Sequence, residues 1–222
     1  MVNIYQIFIQ NITAFLEATV ITLKLTSISL LLAMFIGLVI AFFKISKNRI
    51  LYSIAQLYIT VIRGTPLIVQ LMFLYFGIIK IVVLPAFWAG TLALAIHAGA
   101  YIAEIFRGAI QSINPGQMEA ARSLGMSRSL AMKRIIMPQA FKRAVPSLGN
   151  QFIIGLKDSS LVAYLGVPEI YGTALYEQAS NFMPFETYMV AGMYYLVLVI
   201  IFTYLVSKLE LKLDVEDGGR VS

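Results

Sequence analysis

Residues 119–150 read EAARSLGMSRSLAMKRIIMPQAFKRAVPSLGN, the one long basic stretch, punctuated by glycine and proline, in an otherwise oily chain. Arg122, Arg128, Lys133, Arg134, Lys142 and Arg143 fall inside it against a single acid, Glu119. A charge at the bilayer centre costs roughly 2.5 to 3.5 kcal/mol per Arg or Lys even on lenient insertion scales. The stretch is therefore expected to be a folded hydrophilic excursion between spans. What it grips decides the function.

Working outward, the whole chain has 222 residues, 59% of them hydrophobic and 13% charged, with a mean hydropathy of +0.83. Soluble proteins carry about 25% charged residues, so the composition is that of an all-α integral membrane protein. Its length suffices for a handful of spans of about 20 residues each, one bundle domain over 1–222. The absence of cysteine excludes disulfides, thiolate chemistry and Cys-ligated metals. No metal site or catalytic group is expected. A net charge of +6 in such a chain reflects the bias of cytoplasmic loops rather than nucleic-acid binding. The opening MVNIYQIFIQN has no Lys or Arg before its apolar run and no small-residue cleavage site after it, so no removable signal peptide is expected.

Apolar runs place about five transmembrane helices. The first ends at Phe43 after a charge-free stretch from Leu25; the second runs from Ile50 to Ile79, interrupted by Arg63-Gly64-Thr65-Pro66 and closed by Lys80. The third covers Ala86 to Phe106, the short fourth Ala144 to Leu156, and the last Thr187 to Val206. Placing Lys44, Lys47 and Arg49, the segment Arg107 to Arg143, and Lys208, Lys212 and Arg220 on one side gathers thirteen of the seventeen basic residues there. By the positive-inside rule that side is the cytoplasm. The N-terminus then lies outside and the C-terminus inside. Residues 108–143 form a cytoplasmic loop, and 159–186, with Glu169, Glu177 and Glu186, an extracytoplasmic segment.

Within the loop, Asn114-Pro115-Gly116 is a turn signal, and Pro115 opens a helix continuing to Leu124. Gly125 suits its C-terminal cap and Ser127 a fresh N-cap; a second short helix, Leu130 to Ile136, is expected to stop at Pro138. Such a compact body suits either an amphipathic element on anionic lipid or a docking element for a partner.

Glu119-Ala120-Ala121, Gly125, Ile135 and Pro138 resemble the EAA signature of bacterial ABC importer permeases, with Met137 where that family usually has Leu. Arg63-Gly64-Thr65-Pro66, Tyr101 to Gly108, Gly116-Gln117, Pro138-Gln139-Ala140 and Lys157-Asp158-Ser159-Ser160-Leu161 resemble its polar amino-acid branch, the histidine, arginine and glutamine uptake type, in which Thr is usual at the place of Ser159. The resemblance implies a coupling helix, with Glu119, Ala120, Ala121, Gly125 and Pro138, seated in a cleft of a separate ATPase dimer. It also implies a second permease chain, identical or paralogous, and an extracytoplasmic amino-acid-binding protein in a bacterial cell membrane. The chain has no G-x-x-x-x-G-K-[S/T] loop, so ATP and Mg are expected on the partner and not on this chain, which is no enzyme.

His97, Tyr101 and Glu104, spaced i, i+4, i+7, share one face of the third span. Arg63 lies deep in the second, where the Gly64-Thr65-Pro66 break frees backbone carbonyls. Asp158 ends the fourth. Intramembrane ionisable groups are costly and default to function, although Glu104 also has Arg107 at i+3 as a structural partner. Glu104 and Asp158 with a neutral His97 suit a cationic substrate: arginine, lysine or histidine. Tyr101, Arg63, Gly64 and Thr65 complete the expected site. Glutamine is the alternative substrate, and a proton-coupled secondary transporter the alternative mechanism.

Overall fold

The computed structural model describes residues 4–78 and 82–213; Ile79 and Lys80, where the second run was expected to close, and Arg220, used above to orient the chain, lie outside the described residues. Every element is helical: α1 (Ile4–Gln10), α2 (Ile12–Lys44), α3 (Arg49–Gly64), α4 (Leu67–Ile78), α5 (Ala86–Gln111), α6 (Pro115–Ser123), α7 (Arg128–Ala131), α8 (Met137–Asp158), α9 (Ile170–Asn181) and α10 (Pro184–Lys212). A π turn (Met132–Ile136) joins α7 to α8, and a 3₁₀ helix (Ser159–Leu165) follows α8.

Helices α2, α5 and α10 are each long and apolar enough to cross a membrane. The first span begins well before Leu25, for α2 is one unbroken helix of 33 residues, roughly 50 Å at 1.5 Å per residue. Its buried stripe, Ala18, Thr22, Thr26, Ser29, Ala33, Gly37 and Ala41, repeats every three or four residues. Opposite it α5 buries Ala89, Gly90, Ala93, Ala100 and Ala103. Small residues on both faces let the backbones approach closely, the main source of helix association where lipid is as apolar as the side chains. A β-carbon at Gly37 would sit 2.6 Å from Ile102 Cγ2 and 3.0 Å from the Ala103 nitrogen. Ser29 Oγ donates to the Thr91 carbonyl across this seam at 3.1 Å.

The second apolar run is not a straight crossing. Helices α3 and α4 meet at 108°, because Pro66 has no N–H to continue the ladder and holds Thr65 extended (φ −122°, ψ 146°). Nor does Pro138 stop a short helix. It falls in the first turn of α8, where a missing N–H costs nothing, and the wide π turn before it lets the chain run on through Lys142 and Arg143. Helix α8, which carries the expected fourth span, is accordingly 22 residues long, but it is charged at Lys142, Arg143, Lys157 and Asp158. It is not among the described helices long and apolar enough to cross a membrane, which number three, or four crossings if the bent α3–α4 pair is one span. Segment 159–186 is partly built into the bundle, with Tyr164, Tyr176 and Phe182 left exposed. Ser159, Val162, Glu169 and Ile170 have no exposed area, and Glu169 caps α9, its carboxylate accepting from Gly172 N–H at 2.7 Å and from the Tyr195 hydroxyl of α10 at 2.5 Å.

Candidate functional site

Two groups of the expected residues stand out, one at the loop end of α5 and one midway along it. At the loop end, Asn114 Oδ1 accepts from Gly116 N–H at 2.8 Å and Pro115 starts α6. Gly125, at φ +82°, ends it: its N–H bonds the Arg122 carbonyl at 3.0 Å and Met126 N–H bonds that of Ala121 at 3.1 Å, the paired bonds of a Schellman cap. Arg122 Nη1 adds a bond to the Met126 carbonyl at 2.9 Å, and Ser127 Oγ caps α7 by accepting from Leu130 N–H at 3.2 Å. This turn chemistry was legible in the sequence. It makes a rigid knob.

The knob has two faces. Ala121 is buried, and Met118 of the same helix packs against the cluster of Ile110, Ile113, Ile136 and Ala140. Glu119, Ala120, Leu124 and Gly125 are exposed, Leu124 to 84%. The two alanines of the motif therefore do different things: one seats the knob and one lies on its free surface. Pro138 is exposed too, but it belongs to the start of α8 rather than to α6.

Midway along α5 the polar residues gather. Arg63 Cζ lies 5.1 Å from the Tyr101 ring centroid, and the His97 and Tyr101 rings are 5.2 Å apart. His97 Nδ1 lies 3.1 Å from Gln70 Oε1. The carboxamide nitrogen of Gln70 donates to the Ile62 carbonyl (2.7 Å), the Thr65 carbonyl (3.0 Å) and Thr65 Oγ1 (2.8 Å). Carbonyls freed at the Gly64-Thr65-Pro66 break are thus held by a side chain. Sequence reasoning missed Gln70, although the one amide in the run LIVQLMFLYFGI was a signal.

On its other side His97 lines a cavity of about 20 Å³ with Asp158, Gln151, Thr26 and Ser29. Glu104 is elsewhere. It lies seven residues, roughly 10 Å, further along α5, and Arg107 takes its Oε2 through Nε at 2.9 Å and Nη2 at 2.6 Å. The structure brings Asp158 to His97 and commits Glu104 to a partner, so the two acids do not form one pair. Among the described residues, no group of three or more His, Cys, Asp or Glu side chains is placed to hold a metal ion.

Comparison with known proteins fits this geometry. A family model described as a binding-protein-dependent transport system inner membrane component matches residues 33–215. The arginine transport system permease protein ArtQ of Bacillus subtilis is 37% identical over 211 residues, covering 94% of this chain and 96% of the relative. The putative glutamine transport system permease protein GlnP of Rickettsia typhi is 34% identical over 210 residues, with 94% and 96% covered. A crystal structure of an amino acid ABC transporter with histidines superposes with a TM-score of 0.86 at 41% identity, over 92% of this chain and 96% of that one.

Proposed function

The chain belongs to the binding-protein-dependent transport system inner membrane components, as an amino-acid ABC importer permease, and we propose that the amino acids it passes are basic: arginine, lysine or histidine. It is an integral inner membrane protein and a transport component. The observation that carries the substrate class is Asp158, an acid that lines the same small cavity of the bundle as His97. Its carboxylate makes no hydrogen bond or ion pair with any described residue. Arg107 holds Glu104, so Asp158 is the acid left to meet a cation, with Glu104 as a second, already satisfied, acceptor nearer the loop. Tyr101 and Arg63, with Gly64 and Thr65 at the helix break, would hold the rest of the molecule. Arginine in the name of the Bacillus subtilis relative and histidines in that of the solved structure support this reading. Glutamine, named for the Rickettsia relative, is the second reading. The proton-coupled alternative has no place in this family.

A cavity of about 20 Å³ holds roughly one water molecule and no amino acid. A substrate seated between His97 and Asp158 would therefore need α5 and α8 to part, which supports alternating access. In the proposed assembly two permease chains enclose the pathway. ATPase subunits carrying ATP and Mg dock on the free face of α6 from the cytoplasm, a binding protein delivers substrate outside, and the N-terminus lies outside with the C-terminus in. Glu119, Ala120, Gly125 and Pro138 would meet the ATPase, while the buried Ala121 would seat the knob.

The test is uptake of labelled arginine, lysine, histidine and glutamine into proteoliposomes holding the chain with its ATPase and binding protein. ATP-dependent arginine uptake whose apparent KM rises at least about tenfold, one lost hydrogen-bonded contact, in Asp158→Asn is expected. Uptake of glutamine alone overturns the basic reading. Arginine uptake with an unchanged KM removes Asp158 from the site.

A further inference from the structure

We propose that Gln70 is a positioning residue of the transport site, which fixes His97 as the Nδ1–H tautomer and so leaves Nε2 as a hydrogen-bond acceptor for the substrate's donor groups. An amide side chain can ordinarily be placed either way round. Here it cannot. The nitrogen of Gln70 faces two backbone carbonyls, Ile62 at 2.7 Å and Thr65 at 3.0 Å, and carbonyls only accept. The nitrogen must therefore be there, and Oε1 must face His97. An amide oxygen likewise only accepts, so the His97 nitrogen 3.1 Å away has to donate. A neutral imidazole carries one N–H, and placing it on Nδ1 leaves a lone pair on Nε2. That nitrogen makes no hydrogen bond with the described residues, and it is not a buried unsatisfied atom, so it remains open to a ligand.

The chain of constraints begins at the helix break. Pro66 ends α3, the break orphans the carbonyls of Ile62 and Thr65, Gln70 on the first turns of α4 satisfies them, and its remaining atom sets the histidine on α5. Ring contact with Tyr101 at 5.2 Å holds the imidazole plane. The break thus decides, through one side chain, which kind of group the site accepts. An ammonium, a guanidinium or an amide donates to Nε2; a carboxylate does not. This rests on the reading of His97 as a substrate residue, and it holds for either arginine or glutamine as cargo.

His97 is the one histidine in the sequence, which makes the tautomer directly observable. The assembled importer is labelled with ¹⁵N-histidine in lipid nanodiscs at a pH of about 8.5, about two units above the ordinary imidazole value. Signals of His97 are identified by difference against His97→Gln. Expected are a protonated, pyrrole-type Nδ1 and a bare, pyridine-type Nε2. The near-isosteric Gln70→Met should move the proton to Nε2 and raise the KM of whichever amino acid is carried at least about tenfold, with the maximal rate little changed. A wild-type Nε2–H overturns the proposal, as does an Nδ1–H that persists in Gln70→Met. A shifted tautomer with an unchanged KM also overturns it, leaving the basic-substrate reading untouched. If Gln70→Met fails to assemble, the wild-type spectrum still decides.

Discussion

Glu169→Ala is expected to be among the most damaging single changes outside the transport site. The wild-type carboxylate has no exposed area. One oxygen accepts from Gly172 N–H at 2.7 Å, the other from the Tyr195 hydroxyl at 2.5 Å, and the next residue's N–H is taken by Thr22 Oγ1 of α2 at 3.2 Å. Alanine removes an N-cap, about 1 kcal/mol, and strands a buried hydroxyl, about 1–3 kcal/mol, for a loss of roughly 3 kcal/mol. For a chain of this size that lowers the unfolding midpoint by roughly 6–12 °C. Glu169→Gln keeps an acceptor for Gly172 and offers an N–H₂ to the Tyr195 oxygen, so its cost should be about 1 kcal/mol or less. Midpoints are read by intrinsic fluorescence on the purified importer in detergent, all variants in parallel. An alanine variant within about 2 °C of wild type, far short of the shift expected for lost caps and stranded donors, refutes the reasoning. A glutamine variant as damaged as alanine shows that negative charge, not hydrogen bonding, holds α9.

Gly125→Leu puts a branched side chain at φ +82°, a strain of about 1–2 kcal/mol, on the free face of the knob; ATP hydrolysis should continue while substrate moved per ATP falls, and an unchanged ratio in proteoliposomes makes the loop a mere anchor. Gly37→Ala drives a methyl against Ile102 and the Ala103 backbone and should destabilise by about 1–3 kcal/mol. Gly192→Ala meets nothing within 4 Å on α10 and should gain up to about 1 kcal/mol; thermal midpoints in the reverse order contradict the close α2–α5 seam. Arg107→Ala breaks an ion pair whose members are 31% and 23% exposed, so stability should change by only about 0–1 kcal/mol, and a midpoint loss on the Glu169→Ala scale sinks that account.

Signals written in neighbouring residues were legible. Charge-free runs mark α2 and α10 and a largely apolar run marks α5, and Asn114, Pro115, Gly125 and Ser127 each sit at the cap or turn that their own chemistry suits. What local reading misses depends on distant partners. Pro138 reads locally as a stop because a proline ends a helix unless the turn before it widens, and the π turn at Met132–Ile136 is a property of packing. Glu169 reads as one of several acids in a polar segment, since its partners Thr22 and Tyr195 stand on other helices. Glu104 and Asp158 read as a pair because each is an acid near a span; Arg107 at i+3 was a legible partner for Glu104, and the fold shows that it takes that carboxylate while His97 shares a cavity with Asp158.

Both helices that carry the candidate substrate residues start from the knob. Helix α5 enters the cluster at Phe106 and Ile110, the turn after it adds Ile113, and α8 leaves it at Ala140, after the π turn has contributed Ile136. From there the two run to the same small cavity, α5 presenting His97 and α8 Asp158. They are joined at the loop by close-packed side chains, which transmit displacement because such interiors are barely compressible. A shift of α6 that moved the two helices unequally would change the spacing of His97 and Asp158, about 20 Å away by the thirteen residues from Ile110 to His97. The α2–α5 seam makes unequal movement the expected outcome, since small residues lock α5 to α2 while Pro146 inside α8 weakens that helix along its length. If the knob works this way, the Gly125→Leu importer loses coupling yet keeps the wild-type KM; a changed KM would place the damage in the cavity instead.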